Sequence, residues 1–315
     1  MRRSSRIIVV VLVVIVLSAS IWMATVPRSS NSGGQAANPD QTVTPQPTGT
    51  KSDTTMTHGN VTVYFIDVGQ GDSELIRTPD NKTILIDTGP STAQNAEIAF
   101  LHSHTWGTID DLVLTHPDAD HTGNAVSVMD SFTVRAIYYP GYIGTTRTYD
   151  DFMAKAHQVA CPFFTNVQVH PGDYLNWSSS LTFRVMAIDA QANNSNDASI
   201  VIRMTDGSIS YLFEADASSA VEDQMVSAFG TALEAQILKV GHHGSSYSTS
   251  DEFLSEVAPK VGVIEVGAGN PYGHPTNATL TRLAVHDVTV YRTDLNGTVE
   301  ITSNGSGYSI SVERG

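Results

Sequence analysis

Apolar positions recur along this chain with two periods, and the alternation between them marks out its elements. VTVYFIDV (61–68), SELIRT (73–78) and KTILIDT (82–88) alternate in the manner of strands, with Gly- or Asn-containing turns between them. TAQNAEIAFLHSH (92–104) predicts a helix, DLVLTH (111–116) a buried strand, and TGNAVSVMDSF (122–132) a second helix. The theme then repeats. LTFRVMAI (181–188), ASIVIRM (198–204) and SISYLFEAD (208–216) predict strands, and SSAVEDQMVSAF (218–229) a helix. AQILKVG (235–241), VGVIEVG (261–267), VTVYRT (288–293) and TVEITS (298–303) complete the strands. Two successive units of this kind predict an α/β protein of two packed sheets with helices outside. The interval 138–180 follows neither period. Its Tyr139, Tyr142, Tyr149, Phe163 and Phe164 suit either a flap that stacks on a substrate ring or a satellite core.

The pattern is different before residue 59. MRRSSR precedes the apolar run 7–26, which is about 30 Å long as a helix. Residues 1–26 therefore read as a secretory signal peptide or a membrane anchor, both of which export the rest of the chain. Residues 27–58 are rich in Pro, Ser, Thr, Gly, Gln and Asn, cannot bury an apolar face, and predict a disordered linker. The folded domain is expected at 59–315.

Composition narrows the chemistry. The one cysteine, Cys161, excludes an intramolecular disulfide and any multi-cysteine metal site, and reads as a small packing residue. Net charge is −15. Five basic residues lie in the first 58 positions against only Asp40 and Asp53, so the folded part is more acidic still. That balance opposes a basic groove for nucleic acid, although bound cations would reverse it locally.

Polar clusters succeed the apolar strands: His116-Pro-Asp118-Ala-Asp120-His121, Asp216, His242-His243-Gly244-Ser245, and Tyr272-Gly273-His274-Pro275. Strand ends bring distant segments to one edge, where imidazoles and carboxylates can share two cations. In an extended turn His116 and Asp118 would face one ion, Asp120 and His121 another. The duller alternative has Asp118 and Asp120 capping the next helix. Asp67 and Asp87 read as loop-framing acceptors, Asp72 as open between structure and site, and His58, His102, His104 and His286 as surface residues.

T-H-x-D-x-D-H-x-G (115–123) resembles the metal motif of the metallo-β-lactamase superfamily, with Asp118 where the second histidine of H-x-H-x-D-H stands. FIDVGQGDS (65–73), LIDTG (85–89), NDASIV (196–201), FEAD (213–216), LKVGHHGSS (238–246) and NPYGHP (270–275) extend the resemblance to the exported hydrolase domain of the ComEC family of DNA-uptake proteins. The resemblance implies a four-layer αββα sandwich. It implies His116, Asp118, Asp120 and His121 as the first ligand cluster, Asp216 as a bridging ligand, and His243 or its neighbour His242 as the last histidine. No histidine is placed for the superfamily's middle motif. His157 and His170 lack its context, and Asn196 and Asp197 are candidates for part of its role. The cofactor is expected to be two divalent ions, Zn or Mn, with the oxygen-rich set favouring Mn.

The implied activity is metal-assisted hydrolysis of a phosphodiester, with DNA as a candidate substrate. Asp120 would bind metal and orient water, and His274 or Tyr272 would assist the leaving group. The expected partners are the substrate, a separate membrane channel, and the membrane itself if the leader is retained. The alternatives are a hydrolase of a lactone, thioester or small phosphoester, and a non-catalytic exported module.

Overall fold

The computed structural model of the protein describes residues 59–314. The expected leader or anchor, the linker and His58 lie outside the described residues. Among the described residues no helix is long and apolar enough to cross a membrane.

Two sheets form the middle of the domain. The first runs through Tyr308–Val312, Val299–Ser303, Val61–Phe65, Glu74–Arg77, Thr83–Ile86, Asp111–Val113, Ile137–Tyr138 and Phe163–Phe164. Its first five strands are antiparallel, and the last three are joined in parallel. The second runs through Thr289–Arg292, Val261–Ile264, Ile237–Lys239, Ile209–Phe213, Val201–Asp206, Thr182–Ala187 and Tyr174–Leu175. Here the first four strands are parallel and the remaining joins antiparallel.

Alternation along each strand builds three layers of core. Val61, Val63, Phe65, Ile84 and Ile86 face the second sheet, which answers with Ile202, Met204, Tyr211 and Phe213. The Phe65 and Phe213 rings meet there with centroids 6.2 Å apart. The intervening Tyr64, Leu75, Leu85 and Leu112 face outward, against Leu101, Val128 and Phe152 of helices Gln94–His104, Ala125–Ser131 and Arg147–Gln158. On the other side Val201, Leu212 and Leu238 meet Val221, Met225, Phe253 and Leu283 of helices Ser219–Phe229, Asp251–Val257 and Asn277–Val285. The described residues thus layer as helix, sheet, sheet, helix, as expected.

Several boundaries shift for local reasons. The first strand stops at Phe65 because the chain curls through Gly69 and Gly71, both at positive φ. The helix expected at 122–132 is broken by Asn124, whose amide is drawn to Thr88 O, Pro90 O and Glu97 Oε2. The interval 138–180 contains helix Arg147–Gln158; Tyr139, Tyr149 and Phe163 pack in the outer core and Phe164 against the inner one, so these four are core residues and not a flap. Cys161 packs against the same cluster.

What matters for function is that parallel strands of both sheets end at one edge. Thr83–Ile86 leads to Asp87, Asp111–Val113 to His116, Ile209–Phe213 to Asp216, Ile237–Lys239 to His242, and Val261–Ile264 to Glu265.

Candidate metal centre

The first cluster is built on Asp87. Its carboxylate accepts from Thr115 N at 2.8 Å and Thr115 Oγ1 at 2.6 Å, and its Oδ2 lies 2.7 Å from His121 Nδ1. A loop-framing acceptor is therefore also the group that orients a candidate ligand. Asp118 occupies the N-cap of the short helix Ala119–Thr122, yet its side chain caps nothing. It lies 3.8 Å from His116 Nε2, which decides against the capping alternative. Gly71 lets the preceding loop press on this helix. A Cβ there would lie 2.3 Å from Asp120 O, and the φ of +151° is one that side-chain-bearing residues rarely adopt.

The second cluster comes from the other sheet. Asp216 N donates to Ser199 Oγ at 3.3 Å. His242 and His243 are consecutive left-handed residues, at φ 46° and 53°, a conformation that costs roughly 1–2 kcal/mol per non-glycine residue. His243 Nδ1 lies 2.9 Å from the Glu265 carbonyl oxygen, which only accepts, so this nitrogen carries a proton.

The two clusters meet at Asp216. Its carboxylate lies 3.3 Å from His121 Nε2, 3.9 Å from His116 Nε2, 3.7 Å from His243 Nε2 and 3.6 Å from His242 Nε2. Asp120 Oδ2 adds a 3.4 Å approach to His243 Nε2. His116 Nε2, His121 Nε2, His243 Nε2 and Asp216 Oδ1 are buried without a hydrogen-bond partner. Leaving such atoms orphaned costs about 1–3 kcal/mol each. Their convergence fits divalent cations, which the imidazole and carboxylate donors suit.

The electrostatics agree. Burial and the neighbouring His121 push the His116 imidazole down to about 4. Burial also opposes the charged forms of His121 and His243, but carboxylates prevail. Asp216, Asp87 and Asp72 hold His121 well above its ordinary range, and Asp216 and Asp72 raise His243 to about 10. Burial would favour neutral Asp216, yet His121 and His243 hold it far below the usual carboxylate range. The carboxylates thus make the site one that favours positive charge, and a metal binding there must compete with protons for the imidazoles.

Behind His243 lies a network that sequence reasoning missed. Lys239 Nζ pairs with Asp72 Oδ2, both wholly buried, and Asp72 Oδ1 is 3.1 Å from His243 Nδ1. Glu74 and Glu265 adjoin them. Burial and the neighbouring Glu265 and Asp72 carboxylates raise Glu74 well above its usual range, and burial with Asp72 raises Glu265 to about 8. The readable signal is Lys239 itself, a charge inside the apolar run QILKV.

The remaining candidates sort plainly. His274 is brought to the rim, its ring centroid 5.6 Å from that of His242, with Tyr272 stacked on its outer side at 5.8 Å. Asn196 Nδ2 lies 3.5 Å from His242 Nδ1. Asp197 is not brought to the cluster, because Ser218 Oγ and Asn194 Nδ2 claim its carboxylate. His157 and His170 are exposed elsewhere, and His170 pairs with Asp173 at 3.2 Å. Asp67 binds Arg314 at 2.6 Å and frames its loop. His102 is exposed, whereas His104, packed on Tyr64 and Phe100, and His286, beside Asp251, are half-buried; all three lie away from the centre.

The model of the metallo-β-lactamase superfamily matches residues 66–267, more than half of the chain. The chain belongs to that superfamily of metal-dependent hydrolases. Two curated relatives narrow the neighbourhood. ComE operon protein 3 of Bacillus subtilis is 32% identical over 258 residues, and competence protein ComA of Neisseria gonorrhoeae 31% identical over 245. Each alignment covers 76% of this chain but 32% of the relative, so the chain spans about a third of the length of these proteins. Among solved structures, the metallo-β-lactamase fold protein YhfI from Bacillus subtilis aligns with TM-score 0.51 and 14% identity, over 80% of this chain and all of that one. CmlA, a diiron β-hydroxylase from Streptomyces venezuelae, aligns with TM-score 0.52 and 12% identity, over 78% and 54%. Both likenesses concern the fold alone.

Proposed function

We propose that the protein is an exported metal-dependent phosphodiesterase acting on nucleic acid. The observation that carries this reading is the ring of buried, unpartnered Nε2 atoms around Asp216, flanked by Asp118 and Asp120. When bound there, two divalent cations would provide a nucleophile at neutral pH and offset charge on a reacting phosphoryl group. His116, Asp118, Asp120, His121, Asp216 and His243 would hold them. With three carboxylates in the set, Mn²⁺ suits the site as well as Zn²⁺.

The chain's own residues supply the rest. Asp120, about 30% exposed at the mouth, orients the attacking water and takes its proton. His274, at the rim beside His242, donates a hydrogen bond to the leaving group. The competence relatives support nucleic acid as substrate. The arginine-led apolar run at 1–26 supports a cell-surface or secreted location, and a separate membrane channel is the partner we propose.

The acidic composition favours a second reading, hydrolysis of a small phosphoester, since Lys239 is committed to Asp72 and offers no phosphate clamp. One experiment separates the two. The full chain, loaded with Mn²⁺ or Zn²⁺, is assayed on bis-p-nitrophenyl phosphate and on labelled single- and double-stranded DNA, beside an Asp120→Ala, His121→Ala control. Metal-dependent DNA cleavage that the control lacks supports the first reading. Cleavage of the small diester alone supports the second, and no turnover by the metal-loaded chain sinks both.

A further inference from the structure

We infer that His242 is a ligand of the first metal ion and stands in for the middle histidine absent from the motif order. The inference rests on the two-metal reading above.

Four imidazoles surround Asp216, and all four are arranged alike. Each has Nε2 within 3.3–3.9 Å of the Asp216 carboxylate. Each has Nδ1 facing an outer group: Thr115 Oγ1 for His116 at 3.0 Å, Asp87 for His121 at 2.7 Å, Glu265 O for His243 at 2.9 Å, and the Asn196 amide for His242 at 3.5 Å. Metal-binding histidines show this polarity, one nitrogen toward the ion and the other toward an orienting partner. As placed, Asn196 Nδ2 faces this Nδ1; a half-turn of the carboxamide about Cβ–Cγ presents Oδ1 instead, which would accept the Nδ1 proton and leave Nε2 free to ligate.

Partition of the remaining donors places His242. Asp120, His121 and His243 form one compact group, and His121 also closes a second with His116 and Asp216. Asp118 approaches His116, at 3.8 Å, and belongs with the other ion. Asp216 spans both. The first ion then has His116, Asp118 and Asp216, and His242 supplies its fourth protein donor. The segment that would carry the middle ligand supplies none itself, because Asp197 is bound to Ser218 and Asn194, and Ser199 Oγ receives Asp216 N. It contributes Asn196 instead, as the orienting partner of a histidine from another loop. The paired left-handed backbone at 242 and 243 is what turns both rings toward Asp216.

The test is a metal titration of the full chain with His242→Asn, since Asn tolerates a left-handed backbone and is too short to reach the ion. Metal-stripped protein is titrated with Mn²⁺, ions per chain are counted by mass spectrometry, and the pair is read by electron paramagnetic resonance. The wild-type chain is expected to bind two ions with a spin-coupled spectrum. His242→Asn is expected to bind one, with the spectrum of an isolated ion, and to melt like the wild type in chelator. His274→Ala is expected to keep both. Asn196→Ala is expected to weaken the first ion alone, by about 10-fold. Two ions bound at wild-type affinity by His242→Asn would overturn the inference while leaving the two-metal reading intact. Fewer than two on the wild type would instead remove the reading beneath it. Should His242→Asn fail to fold, unchanged first-ion affinity in Asn196→Ala overturns the inference.

Discussion

The two sheets bring ligands to one edge in the same way but secure them by different means. In the first, Asp87 alone accepts three hydrogen bonds and fixes both Thr115 and His121. In the second, His243 rests on a backbone carbonyl and on an ion pair buried between the sheets, Asp72 with Lys239. The buried acids differ correspondingly. Glu97 on the first side is raised to about 8 by burial, despite hydrogen bonds from Asn124 and Ser73, and is held as a neutral acid. On the second side burial opposes a charged Asp72, but Lys239, His243 and His121 outweigh it and keep the carboxylate ionised. One side is organised by hydrogen bonding, the other by charge compensation.

The largest break in this comparison is Asp216→Asn, which removes the carboxylate common to both sides. Neither ion should bind tightly and turnover should fall to background, as measured by metal content and hydrolysis of a diester. Next is Lys239→Met. It strands Asp72 beside Glu74 and Glu265 without its ammonium partner, and should destabilise the domain by about 3–5 kcal/mol in chemical denaturation. A cost under about 1 kcal/mol would show that the second side is not charge-organised.

Glu97→Gln probes the opposite arrangement. A carboxyl with a raised folded-state pKa loses stability as pH climbs from its unfolded value toward about 8, because the unfolded chain releases the proton first. Gln keeps an acceptor oxygen for Asn124 Nδ2, and its NH2 can donate to Ser73 Oγ where the neutral acid would place its proton. The wild type should therefore lose about 3 kcal/mol more than the variant between pH 5 and pH 8. Parallel pH profiles would refute a neutral Glu97. The smallest effect belongs to Asp87→Asn, which retains shape and positive φ but loses the charge facing His121. Metal affinity should fall about 10–100-fold with the fold intact, and an unchanged titration would reduce Asp87 to a turn residue.

How much of this the sequence disclosed depends on how local each feature is. His116 to His121 are six neighbouring positions, and Asp216 and the histidine pair end apolar runs, so all were legible. Asp72 is ambiguous in sequence because its partner, Lys239, is 167 positions away. The Nδ1 partners of the histidines were out of reach for the same reason: a carbonyl at 265 or an amide at 196 has no signature beside its histidine. Helices Asp251–Val257 and Asn277–Val285 were missed although their caps were present. Ser250 and Thr276 each accept from the amide three residues on, a cue that outweighs weak periodicity in short helices. The edge strand Tyr308–Val312 pairs on one side only, and its alternating polar residues hide it.

The division of ligands between the sheets also governs the order of events when the chain folds. His116 and His121 emerge during synthesis long before Asp216 and His243, and the centre around Asp216 needs donors from both groups. Contacts this distant in sequence close slowly, so capture of metal waits until both sheets have docked. Loading is then a checkpoint on the finished fold. Each ion held afterwards fastens one half of the molecule to the other, and at saturating concentration opposes their separation in proportion to its affinity.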